Sequence, residues 1–386
     1  MESINIQVTR QGECVKTIPA DSVPTPFGRG APIGMTEDGV LHAGFSTEGP
    51  GLESVLLTSS DGGKSWSGKR LDWWQFFDHK LDPESFQASF FVNRRSMQGD
   101  AFGVLRDGTL LWAFHENANL GEGVSNCYTI RSEDEGQTWS GPVLIDKQGF
   151  SGAGNNSNRI TELPNGTVLW PVRLGGTADE IASADEMARI ESAGEINPSE
   201  IVASYVFRSH DKGRTWVDPS PLPDWCWENT ITCLSSGKLI ASLRYQPLPS
   251  LETEWSENRK TVFFADSPDN GLTWEDFRPL RLSTNGLQEL RHGQCHGEIS
   301  ELSDGTLIVT YDHRYPYHQQ QVLARISKDN GQTWSAEIYN LTQAGGSILG
   351  SSQRGYGGGY ASSVVLEDDT IVTITGTGNC LRWRVE

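Results

Sequence analysis

The chain lacks a basic start followed by an apolar stretch, and no run approaches the ~20 apolar residues that a membrane span requires. As written, these absences predict a cytoplasmic protein with no membrane partner, or a secreted or periplasmic one if a leader has been trimmed. Basic residues are scarce: 31 Lys and Arg stand against 50 Asp and Glu, for a net charge of −19. A surface of that sign repels phosphate backbones, so nucleic acid is not an expected partner. The six cysteines are scattered, with no CxxC pair, and reduced thiols are expected in place of a disulfide framework. No His, Cys, Asp or Glu spacing matches a standard ligand motif, and neither a metal nor another cofactor is expected. What is abundant is Gly, at 42 residues, Trp, at 13, and short groups of Ser, Thr and Asp between apolar runs. That is the composition of many short strands joined by tight turns.

One pattern, close to SxDxGxTW, occurs five times: SSDGGKSW from Ser59, SEDEGQTW from Ser132, SHDKGRTW from Ser209, SPDNGLTW from Ser267 and SKDNGQTW from Ser327. Its Asp and Ser side chains are suited to tie back to the N–H groups of a hairpin turn, its Gly to a positive-φ position, and its Trp to packing between neighbouring sheets. Asp61, Asp134, Asp211, Asp269 and Asp329 are therefore expected to be structural. Between the boxes runs a second repeat, a strand, a turn usually of DG, NG or SG type, and an apolar strand. Its copies are APIGMTEDGVLHAGF, DAFGVLRDGTLLWAF, SNRITELPNGTVLWPV, NTITCLSSGKLIASL, GEISELSDGTLIVTY and ASSVVLEDDTIVTIT. Six hairpins with five boxes predict an all-β, six-bladed propeller with Asp-box hairpins, spanning residues 1–386 as a single domain. The last blade ends too soon for a box, and an N-terminal strand, SINIQVTR, is expected to close it. The acidic, Ala-rich stretch 175–200 reads as an inserted, helical loop of blade three.

A propeller places ligands where the inner strands meet one face, so positions can be compared by their distance from each turn. Counting eight or nine residues back gives Arg29, Gln98 and Gly99, Asn156 and Ser157, Trp227 and Glu228, Cys295 and His296, and Gly359 and Tyr360. Counting eight forward gives Ser46, His115, Arg173, Arg244, Asp312 and Gly376. These sets are predicted to share one polar rim. Loop residues at a sheet edge are commonly polar, which accounts for Ser and Asn but poorly for three inward Arg in so acidic a chain.

Through its Asp boxes and blade count, the whole chain resembles the sialidase (neuraminidase) family. Asp boxes also occur in other propellers, so each position is matched separately. The family's first carboxylate-binding Arg falls on Arg29 in GRGAPI, and its Glu and second Arg fall on Glu228 and Arg244 in WENTITCLSSGKLIASLR. Its Tyr nucleophile falls on Tyr360 in GYASSVVLEDDTI. The loop that carries its acid/base Asp is STEGPGLES here, where Glu48 or Glu53 stands in, and the third Arg falls to Arg314 in DHRYPY or Arg354 in SQRGYGGGY. The resemblance implies an exo-glycoside hydrolase for an acidic sugar, sialic acid or a related ulosonic acid. Catalysis would use Tyr360, Glu228 and Glu48; Arg29, Arg244, Arg314, Arg173, His115, His296 and Trp227 would line the substrate site. The chemistry is coherent: a carboxylate nucleophile beside the substrate carboxylate would meet repulsion of about 4 kcal/mol at ~4 Å and an effective dielectric of ~20. A neutral Tyr avoids this, and a Tyr nucleophile is a known property of that family.

Two other classes stay open. The histidines His292, His296, His313 and His318 around blade five, with His115 and Glu116 on blade two, suit a propeller lyase or rhamnosidase-type enzyme with His and Tyr as acid and base. Trp73, Trp74, Trp225 and Trp227 suit a non-catalytic glycan-binding propeller whose aromatic rings stack on sugars.

Overall fold

The computed structural model describes residues 6–8, 14–17, 21–24, 32–46, 54–76, 96–117, 125–149, 153–154, 159–175, 202–223, 226–245, 261–280, 294–313, 321–341, 360–375 and 379–385. Six sheets, antiparallel except for one outer-edge pairing, form the blades of a propeller. The second strand of a blade is strongly apolar: in Leu110–Asn117, Val168–Gly175, Leu239–Tyr245 and Leu307–His313, residues 110–115, 168–174, 239–244 and 307–312 are buried without a break. A strand flanked by another sheet on each face has no polar side to alternate with. The inserted stretch 175–200 lies outside the described residues except for Gly175.

Closure differs in detail from the sequence expectation. The last blade is completed by Asp21–Pro24, which pairs antiparallel with Asn379–Trp383. Ile6–Val8, from the segment expected in that role, forms a hairpin with Cys14–Thr17, and the latter pairs in parallel with Ile338–Asn340 at the outer edge of blade five. The physical reason is connectivity: the strand that fills the last slot must lead into the inner strand of blade one, Ile33–Met35, and Asp21–Pro24 is the nearer segment. Pro24 is tolerated there because an edge position asks no N–H of it.

The boxes behave as their chemistry requires. In the first, Asp61 Oδ1 accepts from Ser59 Oγ at 2.8 Å and from the Ser65 amide at 2.9 Å, while Ser59 Oγ accepts from the Gly63 amide at 2.9 Å. The same bonds recur around Asp134, Asp211, Asp269 and Asp329. Hydrogen bonds from Ser65 and Thr138 hold the Asp61 and Asp134 carboxyls down at about 2. The box Trp bridges blades: Trp216 Nε1 donates to Thr129 Oγ1 at 2.8 Å, and Trp334 stacks on Phe264 at 5.0 Å. Cations of the preceding blade also cap each box. Lys69 donates to Gly136 O, Arg131 to Lys212 O, Arg208 to Gly271 O, Arg278 to Gly331 O, and Arg382 of the last blade to Gly62 O of the first.

A second ring of bonds runs around the axis. Ile160 N donates to Phe102 O, Thr161 Oγ1 to Ile231 O, Thr230 Oγ1 to Gly297 O, Ser300 Oγ to Ser363 O, and Ile33 N to Ser362 Oγ. The inner strands approach so closely that a Cβ on Gly103 would lie 2.6 Å from Ile160 O. Cys127, Cys226, Cys233, Cys295 and Cys380 take part in no disulfide.

His42, on the second strand of blade one, is fully buried, with Nδ1 at 3.2 Å from Thr58 Oγ1 and no hydrogen-bond partner at Nε2 among the described residues. Burial pushes its imidazole below the ordinary 6.5, against the pull of Glu135 and Asp38. Below 6.5 the unfolded chain takes up a proton that the folded chain refuses, so stability falls as pH drops from there towards the folded value. His42→Gln is expected to lose part of the decline in melting temperature between about pH 7.5 and about pH 5.5. An identical decline in both proteins would exclude His42 as a contributor.

Candidate active site

Five polar residues converge where blades four, five and six meet at the mouth. Glu228 and His296 lie on the inner strands Cys226–Cys233 and Gln294–Glu301, and Tyr360 stands just ahead of the inner strand Ser362–Val365. Arg244 and Asp312 come from the second strands of blades four and five. Both inner strands that carry site residues break register at that point, between Cys226 and Asn229 and between Cys295 and Glu298. Such bulges re-aim side chains that regular pleating would send into the sheet stack. His296 and Tyr360 also adopt left-handed backbone, with φ of 52° and 65°. For non-glycine residues outside a tight turn this costs ~1–3 kcal/mol each and persists only where surrounding structure enforces it.

Glu228 is the hub. Its Oε1 accepts from Tyr360 Oη at 3.2 Å, and its Oε2 is in ion-pair contact with Arg244 Nη1 and lies 2.7 Å from His296 Nδ1. The His296 and Tyr360 rings are in contact, with centroids 3.7 Å apart. Asp312 Oδ2 accepts from the Tyr360 amide at 2.9 Å and lies 3.9 Å from His296 Nε2, so the imidazole sits between two carboxylates. Glu228, Arg244 and His296 are 8, 5 and 3 % exposed, which places these charges in a medium where each interaction is stronger than in water. A hydroxyl within hydrogen-bond reach of a carboxylate that is itself fixed by further groups is the arrangement of an activated nucleophile and its base.

Of the residues singled out in the sequence, Tyr360, Glu228, Arg244 and His296 are brought together. Arg173 and His115 are buried on the second strands of blades three and two, at the positions corresponding to Arg244. Trp227 is in the bulged strand beside Glu228, with its side chain outside the described residues. Arg29, Glu48 and Arg314 lie outside the described residues, as do Glu53, His292, His318 and Arg354. Asp312 received no role from the sequence, although it occupies the rim position equivalent to Arg244. Glu298 and Arg159, which support the site from below, escaped notice altogether.

Residues 190–346 match the family described as BNR repeat-like domain, a span that contains three of the five boxes. No curated protein matches the chain. Among solved structures, a Hadza microbial sialidase is similar with a TM-score of 0.63 at 14% identity, over 97% of this chain and 72% of that one. A Trypanosoma rangeli sialidase in complex with sialic acid has a TM-score of 0.58 at 13% identity, over 99% of this chain and 56% of that one. The Penicillium chrysogenum alpha-L-arabinanase complexed with arabinobiose has a TM-score of 0.56 at 15% identity, over 95% of this chain and 97% of that one. At such identities the likeness establishes a shared fold: the chain is a six-bladed propeller of the architecture found in sialidases and related proteins.

Proposed function

We propose that this Asp-box propeller is a sialidase-like exo-glycoside hydrolase acting on an acidic sugar, with Tyr360 as nucleophile and Glu228 as its base. The observation that carries this reading is the 3.2 Å hydrogen bond from Tyr360 Oη to Glu228 Oε1 in a buried, bulge-built mouth. The names of two similar structures, a sialidase with sialic acid and an arabinanase with arabinobiose, support a carbohydrate as the substrate class. A free phenol, with a pKa of about 10, is a weak nucleophile at neutral pH; a carboxylate at hydrogen-bond distance supplies the missing base.

In the first step Glu228 takes the phenolic proton as Tyr360 Oη bonds to the anomeric carbon. The bond from that carbon to the leaving-group oxygen breaks, and this oxygen takes a proton from an acid, for which Glu48 is the candidate. In the second step water, deprotonated by the same acid/base, adds to the anomeric carbon. The bond to Tyr360 breaks as the water oxygen bonds, and the proton returns from Glu228 to the phenolate oxygen. Arg244 would bind the substrate carboxylate through guanidinium N–H groups other than those on Glu228, with Arg29 and Arg314 as the further candidates.

Arg244→Lys is expected to weaken binding of an acidic sugar about tenfold, equivalent to about 1.4 kcal/mol, because an ammonium cannot engage two partners in one plane. Unchanged affinity for sialic acid by titration calorimetry would remove Arg244 from the binding role. A screen of fluorogenic glycosides tests the class itself: release from a sialoside supports the proposal. The contact of His296 with both Tyr360 and Glu228 favours, as a second reading, His/Tyr acid–base chemistry on a uronic-acid polysaccharide or a deoxy-sugar glycoside. Formation of an unsaturated product or release from a rhamnoside would select it. Glycan binding without turnover would leave a non-catalytic propeller.

A further inference from the structure

Beneath the mouth, a fully buried carboxylate ties together the strands that present the nucleophile and the histidine. Glu298 has no exposed surface. Its Oε1 accepts from Ser362 Oγ at 3.0 Å, from the Ser363 amide at 2.9 Å and from Arg159 Nη2 at 2.6 Å. Arg159 Nη2 also donates to Ser363 O at 2.6 Å, and Ser362 Oγ accepts from the Ile33 amide at 3.1 Å. One carboxylate oxygen is thus the meeting point of blades three, five and six, and reaches blade one through Ser362. The Arg159 side chain lines a cavity of about 350 Å³ at the far end of the axis and is 20% exposed. The side chain therefore keeps contact with solvent while its guanidinium pairs with Glu298. Burial pushes the Glu298 carboxyl up, and Arg159, the Ser363 amide and the Ser362 hydroxyl oppose that rise.

The sequence positions give this cluster its consequence. Glu298 is two residues beyond His296, and Ser362 is two beyond Tyr360. These are the two site residues with left-handed backbone. Strained residues hold their conformation only where neighbours over-determine it, and the bonds at Glu298 Oε1 pin both strands immediately after the strained positions. A polar cluster at this depth costs free energy that an apolar pair would not.

We infer that Glu298, held by Arg159, is a positioning residue that fixes Tyr360 and His296 against Glu228, an inference that rests on the proposed nucleophile–base reading of that site. Neither Glu298 nor Arg159 touches the reacting atoms. Their effect is on the distance and alignment between Tyr360 Oη and Glu228 Oε1, where a displacement of ~1 Å costs about 100-fold in rate.

The test compares Glu298→Gln, Glu298→Ala and Ser362→Ala by crystal structure, thermal melt, and kcat and KM on the best glycoside from the screen. Glu298→Ala is expected to break the Tyr360–Glu228 hydrogen bond and to lower kcat about 100-fold with little change in KM. Glu298→Gln keeps an acceptor for Ser362 and Ser363, and should retain the bond and recover most of kcat. Ser362→Ala, a small change suited to the case in which Glu298→Ala fails to fold, is expected to lengthen the contact and lower kcat about tenfold. Variants that melt earlier but keep the 3.2 Å contact and the unmodified kcat would overturn the proposal, since a purely structural carboxylate does only that. If the unmodified chain turns over no glycoside, the hydrolase reading fails by itself, and the crystallographic distance still decides the role of Glu298.

Discussion

Tyr360→Phe is expected to abolish turnover, by about 10⁴-fold or more, in a protein that folds as before. The substitution deletes one oxygen and little else. The ring that packs on His296 at 3.7 Å remains, and so does the amide that Asp312 accepts from at 2.9 Å, so the left-handed backbone at this position keeps its main support. The 3.2 Å bond to Glu228 goes, and a lost hydrogen bond to a carboxylate costs about 1–3 kcal/mol. Glu228 keeps Arg244 and His296 beside it, which holds the loss at the lower end. Turnover assays alongside thermal melts would check both halves of the expectation. Full activity in the variant eliminates a Tyr mechanism of either kind.

How much of this site could be read from the sequence depends on the kind of information each part needs. The boxes and inner hairpins repeat, and repetition gives a register, so counting from each turn found the positions that hold Glu228, His296, Tyr360, Arg244 and Asp312. Residues at equal counts in different blades are brought to one rim by the geometry of the propeller, whatever their identity. The bulges at Glu228 and His296 and the left-handed backbone at His296 and Tyr360 have no such signature, because each of these residue types is ordinary in a strand. The Arg159–Glu298 pair spans 139 residues and joins blades that are not neighbours, so no local pattern marks it. GEISE reads as one more alternating strand. Scarcity of Arg was also a weaker guide than it looked: Arg131, Arg208, Arg278 and Arg382 cap Asp boxes and never reach the mouth. Closure by Asp21–Pro24 was hidden for a different reason. SINIQVTR has the better strand pattern, and its core, Ile6–Val8, is a strand; the choice of slot was made by connectivity, which the pattern does not encode.

Glu228→Gln and His296→Asn together separate the two catalytic readings. With Tyr360 as nucleophile, Glu228 is the group that takes its proton, and the amide of Gln cannot; kcat should fall about 10³-fold or more. The fold should also weaken, by about 3 kcal/mol, because Arg244, 5 % exposed, loses the charge that compensates its burial. His296 in that scheme supports Glu228 through Nδ1 and packs under Tyr360, so His296→Asn should cost only about tenfold. If His296 is itself the acid or base, the order reverses: the imidazole becomes the group whose removal stops turnover, and Glu228 orients it from 2.7 Å much as Asp312 does from the other side. Single-turnover rates on one substrate rank the two variants directly. A greater loss for His296→Asn than for Glu228→Gln would remove the glycosyl–tyrosine route and leave the His/Tyr chemistry in its place.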